Sequence, residues 1–105
     1  MSEILTIVRH KVKPGKRDEF MQVWEKYVRD YLMGDGGMLG FYYCYDNNDP
    51  DAVILVSLAA DEESTGGLRK QPCSADYQRE TSALRTGQSE VFTATPQWKK
   101  PPAHS

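Results

Sequence analysis

Long apolar runs and an excess of positive charge are both missing from this 105-residue chain. A spanning helix needs about 18 or more consecutive apolar residues, and no stretch here approaches that. Thirteen Lys and Arg stand against fifteen Asp and Glu, a formal net charge of -2. That balance excludes the clustered cationic surface that nucleic acid or an anionic membrane requires. Cysteine is scarce: Cys44 and Cys73 form neither a CxxC pair nor a zinc spacing. The start, Met1-Ser2-Glu3, lacks a basic n-region, and the apolar segment behind it is broken by Arg9, His10 and Lys11. The expectation is a chain without a secretory signal, with reduced thiols in the cytoplasm. No Gly-Lys-Ser/Thr, GxGxxG, Gly-x-Ser-x-Gly or HExxH motif is present. The acidic segment 46–51 has neither the glycine nor the glutamate of a calcium hand. Hydrolase triads, metal chemistry and nucleotide use therefore have no support, and the expected cofactor and metal content is none.

What the chain does have is one domain's worth of residues, 39% hydrophobic, with six tyrosines. Residues 4–13 are rich in β-branched side chains and predict a strand, with Thr6, Val8, His10 and Val12 on one face. Pro14-Gly15 ends it. Phe20, Val23, Trp24, Tyr27, Val28, Tyr31 and Leu32 then recur at helical spacing over 16–33. Gly34 is expected to end that helix, and the loop 34–37 to use positive φ. A second strand, 38–45, and a third, 52–58, flank dense turn chemistry and predict an antiparallel hairpin. Asp61 predicts the cap of a short helix weakened by Gly66-Gly67 and stopped by Pro72. Ser74 predicts the cap of another, running to about Thr86, with Gly87 behind it and a last strand at 88–95. Residues 1–98 make the domain and 99–105 an extended tail.

The order β-α-β-β-α-β predicts an α+β fold of the ferredoxin-like, split βαβ type with an antiparallel sheet. Helices then cover one face of the sheet. Residues 39–45 and 53–56 are nonetheless apolar or aromatic on both alternating faces, where a half-solvated sheet would alternate with polar residues. A second copy of the same sheet is the economical cover, so a homodimer is expected.

The segment Val12-Lys13-Pro14-Gly15-Lys16, followed by Asp18-Glu19-Phe20 and a helix bearing Trp24, resembles the antibiotic biosynthesis monooxygenase (ABM) domain family of the dimeric α/β-barrel superfamily. The resemblance spans about residues 4–98. It implies a small homodimer forming a dimeric α/β barrel, in which some members oxidise aromatic phenols or quinols with O2 and neither metal nor flavin. Members commonly carry a Trp at the end of the third strand and a His in the following helical segment. Here Leu58-Ala59-Ala60 and residues 61–77 supply neither, and no helix holds the histidine that haem degradation uses.

His10 is the only histidine outside the tail, and its ordinary pKa suits acceptance of a phenolic proton. A satisfied structural histidine would look the same in sequence. Trp24, Tyr27 and Tyr31 can line a flat aromatic pocket, and their spacing is also that of an ordinary core stripe. Phe41, Tyr43 and Tyr45 share one strand face and Tyr42 and Cys44 the other; alternation alone does not say which meets the helices. Arg69 and Arg79 are candidates to hold an anionic substrate, or solvated charges. Tyr77 closes the pocket or simply packs. The resemblance and the aromatic stripe imply a cofactor-independent monooxygenase acting on a small aromatic quinol or phenol, with His10 catalytic and Trp24, Tyr27, Tyr31, Tyr43, Tyr77 and Arg69 binding substrate; the alternative is a non-catalytic small-ligand-binding or interaction protein on the same dimeric barrel.

Overall fold

The computed structural model describes residues 2–65 and 71–101. Four strands, β1 (Ile4–Lys11), β2 (Met38–Tyr45), β3 (Ala52–Ala59) and β4 (Glu90–Ala94), form one antiparallel sheet in the order β2-β3-β1-β4. A helical rod follows β1: α1 (Arg17–Trp24), a π-helical stretch Glu25–Arg29 and α2 (Asp30–Met33), joined without a break in helical φ/ψ. A third helix, α3 (Ser74–Leu84), precedes β4. This is the α+β, ferredoxin-like arrangement that the element order predicts.

Register decides which side chains face the helices. Across the sheet, Tyr45, Val53 and His10 form one row; Tyr43, Leu55, Val8 and Val91 the next; Phe41, Ser57, Thr6 and Thr93 a third. These rows lie beneath the rod and α3, where Val12, Phe20, Trp24, Val28, Val53, Tyr77 and Leu84 make the buried core. Pro14 and Gly15 turn the chain from β1 into the rod, and Gly15 sits at φ 77, a conformation open to glycine without strain. Asp18 and Glu19 lie in the first turn of α1, against the positive end of its dipole. Phe20, only 1% exposed, is the anchor. Its ring meets the edge of the His10 ring at 5.6 Å and so ties α1 to β1.

Several boundaries differ from expectation for local reasons. Val12 leaves β1 and pairs singly with Arg85, so the first strand is shorter than 4–13. Gly34 has φ -95, and the positive-φ glycines of the described chain are Gly15 and Gly87, so the loop 34–37 turns without left-handed backbone. Gly37 is required by proximity instead: a Cβ there would lie 2.9 Å from the Ser64 Cβ. Asp61 does cap, accepting from the Ser64 N–H (3.0 Å) and hydroxyl (2.8 Å), but over the 3-10 turn 62–65. Ser74 does not cap: Cys73 holds the N-cap position, with no side-chain bond, and α3 stops at Leu84. Gly66 and Gly67 lie outside the described residues.

Among the described residues nothing packs over the opposite face of the sheet. Its central row runs Tyr42–Val56–Ile7–Phe92 across all four strands, with Leu5 and Leu58 in the next row. Tyr42 is 69% exposed and Phe92 57%. One end of this face is ionic. Arg9 donates to Asp46 (3.1 Å), Asp49 (3.1 Å) and Glu90 (3.4 Å), and Lys11 to Asp49 (2.6 Å).

Candidate functional site

A cavity of about 420 Å³ opens between the helices and the sheet. Its floor is the helix-facing side of β1 and β3, including Thr6, Val8, His10, Leu55 and Ser57, with Phe41 and Val91 from the outer strands. Its roof is Trp24, Val28, Tyr31 and Leu32 from the rod and Tyr77 and Gln78 from α3. Trp24 stacks on Phe41, with ring centroids 5.3 Å apart and planes 25° from parallel, and lies 5.0 Å from the Tyr43 ring. This stacked wall suits a flat aromatic ligand.

The π turn sorts the tyrosines. A π turn closes i→i+5, so Val28 stays on the sheet-facing side below Trp24 while Tyr27 is carried round toward α3. Tyr31 lines the cavity, where burial and then Asp35 raise its pKa. Tyr27 does not. Its hydroxyl donates to Glu80, its ring meets Tyr77 edge-on at 6.2 Å, and together they clasp the rod to α3. Hydrogen bonding from Tyr27 holds the Glu80 carboxyl below its usual range. Tyr43 supports Trp24 from outside the lining; its hydroxyl is buried without a partner among the described residues, and burial pushes its pKa well up. Tyr77 lines the cavity with its pKa pushed up to about 12 by burial. Arg79 pairs with Asp76 at 2.7 Å on the exposed side of α3. Arg69 lies outside the described residues.

His10 stands in the floor with Nδ1 2.5 Å from Ser89 Oγ, and it lines the cavity. Burial first, and the Arg85 charge second, lower its pKa to about 4. It is therefore neutral at pH 7, and the tautomer that donates Nδ1–H to Ser89 leaves the Nε2 lone pair for a ligand. The sequence reading missed Ser89 and Arg85. Their signal was an Arg two residues before Gly87 and a Ser two residues after it, obscured by extending the helix to 86.

The low pKa makes stability depend on pH. The unfolded chain takes up the His10 proton near pH 6.5, and the folded chain only near pH 4. Between those values the unfolded state binds more protons, so stability falls as pH falls through the window. A pKa unit corresponds to about 1.4 kcal/mol, and solvent at the cavity mouth trims the total to about 2 kcal/mol. Urea unfolding at pH 7 and pH 4.5 should show His10→Gln losing less stability than wild type over that interval. Equal losses would contradict the burial of His10.

Among the described residues no helix is long and apolar enough to cross a membrane, and no group of three His, Cys, Asp or Glu could hold a metal ion. Residues 4–80 match the family described as antibiotic biosynthesis monooxygenase, ABM. The chain belongs to this family. The resemblance carried by residues 12–24 is thereby borne out. Solved structures share the ABM fold at low identity. SnoaB from Streptomyces nogalater, a cofactor-independent oxygenase, is 18% identical with a TM-score of 0.78, covering 97% of this chain and all (100%) of its own. A conserved protein from Methanosarcina mazei gives 17% and 0.78, covering 90% and 92%. A protein of unknown function from Nitrosomonas europaea gives 17% and 0.77, covering 99% and 98%. No functionally curated protein matches the chain.

Proposed function

We propose that this ABM protein is a cofactor-independent monooxygenase whose cavity takes a small aromatic phenol or quinol. The supporting observation is the stacked Trp24–Phe41 wall beside a neutral, Ser89-held histidine in one cavity. An electron-rich phenol can supply both electrons itself. A naphthol plus O2 gives a naphthoquinone plus water: one oxygen atom enters the ring, the other leaves with two hydrogens. The protein's part is to orient the ring, exclude water and hold the phenolic proton.

His10 is the proton acceptor in this reading. A resting pKa of about 4 makes it a weak base for a phenol near 10, an uphill transfer of about 8 kcal/mol at the outset. The oxyanion formed beside the imidazolium attracts it and recovers part of that cost. This weak basicity is also the specific observation that favours the second reading, a binding protein without catalysis on the same fold.

Oxygen uptake by chelator-treated protein, across naphthols and naphthohydroquinones, separates the two. The expected result is consumption above the buffer rate, with His10→Phe lowering kcat by about 10²–10⁴-fold. Binding of the same compounds with no oxygen uptake would leave only the binding reading. The same proposal includes a homodimer, with the uncovered Tyr42–Phe92 face packed on a second copy.

A further inference from the structure

Among the described residues of the cavity lining, Arg85 is the cationic one and Asp35 the anionic one. They sit at opposite ends. Asp35 precedes β2 near the Ile4 end of β1, whereas Arg85 follows α3 and pairs across to Val12 at the other. Thr6 to His10 alone spans about 13 Å of strand, so a two- or three-ring ligand would have its ends in different fields. The Arg85 backbone is fixed: its N–H donates to Thr81 O (2.9 Å), and φ -79, ψ 154 begin the extended crossing to β4. Among the described residues its side-chain hydrogen bond goes to Ser82 Oγ at 3.0 Å, on exposed surface. Arg9, Arg29 and Arg79 each pair with a carboxylate, and Arg85 pairs with none among the described residues. Its charge is nonetheless felt inside the cavity, where it lowers the pKa of both His10 and Tyr77.

We propose that Arg85 is the specificity residue of this site, and that it receives a carboxylate carried on the bound aromatic ring. The proposal rests on the aromatic-cavity reading above and adds a polarity to it. The ring lies against Trp24 and Phe41, the acid group points to Arg85, and Asp35 repels the reverse orientation. A carboxylate beside Arg85, whose hydrogen bond to Ser82 lies on exposed surface, keeps part of its hydration, so the desolvation penalty of a fully buried ion is avoided. The guanidinium offers a planar fork that matches a carboxylate, with Ser82 holding one arm.

Calorimetric titration of the full chain with 1-hydroxy-2-naphthoate and with the neutral 1-hydroxy-2-naphthamide tests this. The two probes share rings and hydroxyl and differ in the charged group. Wild type should bind the naphthoate about tenfold or more tighter than the amide, the gain of a charge-assisted pair. Arg85→Met should abolish the preference, bringing the naphthoate-to-amide affinity ratio to about one, and Arg85→Lys should restore part of it. A thermal melt of each variant checks folding, and the naphthoate-to-amide ratio is a readout that a purely structural role would not move. Equal affinities in wild type, or a preference that survives in Arg85→Met, would overturn the role of Arg85 while the aromatic cavity stands. Failure of both probes to bind would overturn the cavity reading, and this proposal with it.

Discussion

Phe20→Ala is expected to lower the unfolding free energy by about 3–5 kcal/mol, as removal of a buried aromatic anchor does. It is also expected to raise the His10 pKa from about 4 toward its ordinary 6.5. Both effects have one cause. Phe20 is 1% exposed, joins α1 to the sheet, and covers the edge of the imidazole. The truncation opens space beside a polar ring, where water can enter and solvate the imidazolium. Urea unfolding measures the first effect. A histidine titration by NMR measures the second, with His104 the only other histidine of the sequence to assign. Phe20→Leu should lose less stability and leave the pKa nearer its wild-type value. Burial is the larger of the two causes acting on His10, with Arg85 second. If Phe20→Ala leaves the pKa near 4 while Arg85→Met raises it, that order is reversed.

The sheet was legible because strands of this composition announce themselves. β2 matches residues 38–45, and β3 gains only Ala59 over the expected 52–58. Turn chemistry at 46–51 fixed the hairpin: Asp46 and Asp49 each accept from the N–H two residues on, at 2.8 and 2.9 Å. The faces were legible in parity and not in direction. Phe41, Tyr43 and Tyr45 turned out to meet the helices, yet Tyr42, Val56 and Ile7 are as apolar as the set they oppose. Hydrophobicity cannot choose between two apolar faces. The choice is made by the rod, which Pro14 and Gly15 send to one side.

The site was legible only in part, for a different reason. His10, Trp24, Tyr31 and Tyr77 come together in the cavity lining, as sequence spacing allows. Tyr27 and Tyr43 do not join them. A uniform 3.6-residue period places Tyr27 on the stripe, and no residue in Glu25–Arg29 signals the wider turn that rotates it toward Glu80. Arg85 was hidden by a boundary. An arginine inside a helix running to 86 reads as one more solvated charge; an arginine just past Leu84, where the backbone turns extended, is placed in the cavity lining. A two-residue error at a helix end thus exchanged a surface charge for a lining residue.

Val56→Arg should convert the proposed dimer into a subunit of 11.9 kDa, with the dissociation constant raised at least about a thousandfold. Val56 lies in the middle of the uncovered row, flanked by Ile7 and Tyr42, so a charge there has no acid in its own row to meet. A two-fold axis presents the substitution twice, and an unpaired charge held from water costs several kcal/mol each time. The ionic end of the face does not carry this penalty in the native chain. Arg9 and Lys11 are already held by Asp46, Asp49 and Glu90 of the same subunit, so a second sheet can close over them without orphaning a charge. What remains is apolar and aromatic, in keeping with an obligate interface of roughly 2,000 Å². Sedimentation at micromolar concentration measures the change, with Glu19→Arg on the exposed side of α1 as a control that should leave the mass at twice the subunit. A wild-type protein sedimenting as a folded single subunit would remove the second copy from the proposal. Tyr42 and Phe92 would then need a different partner.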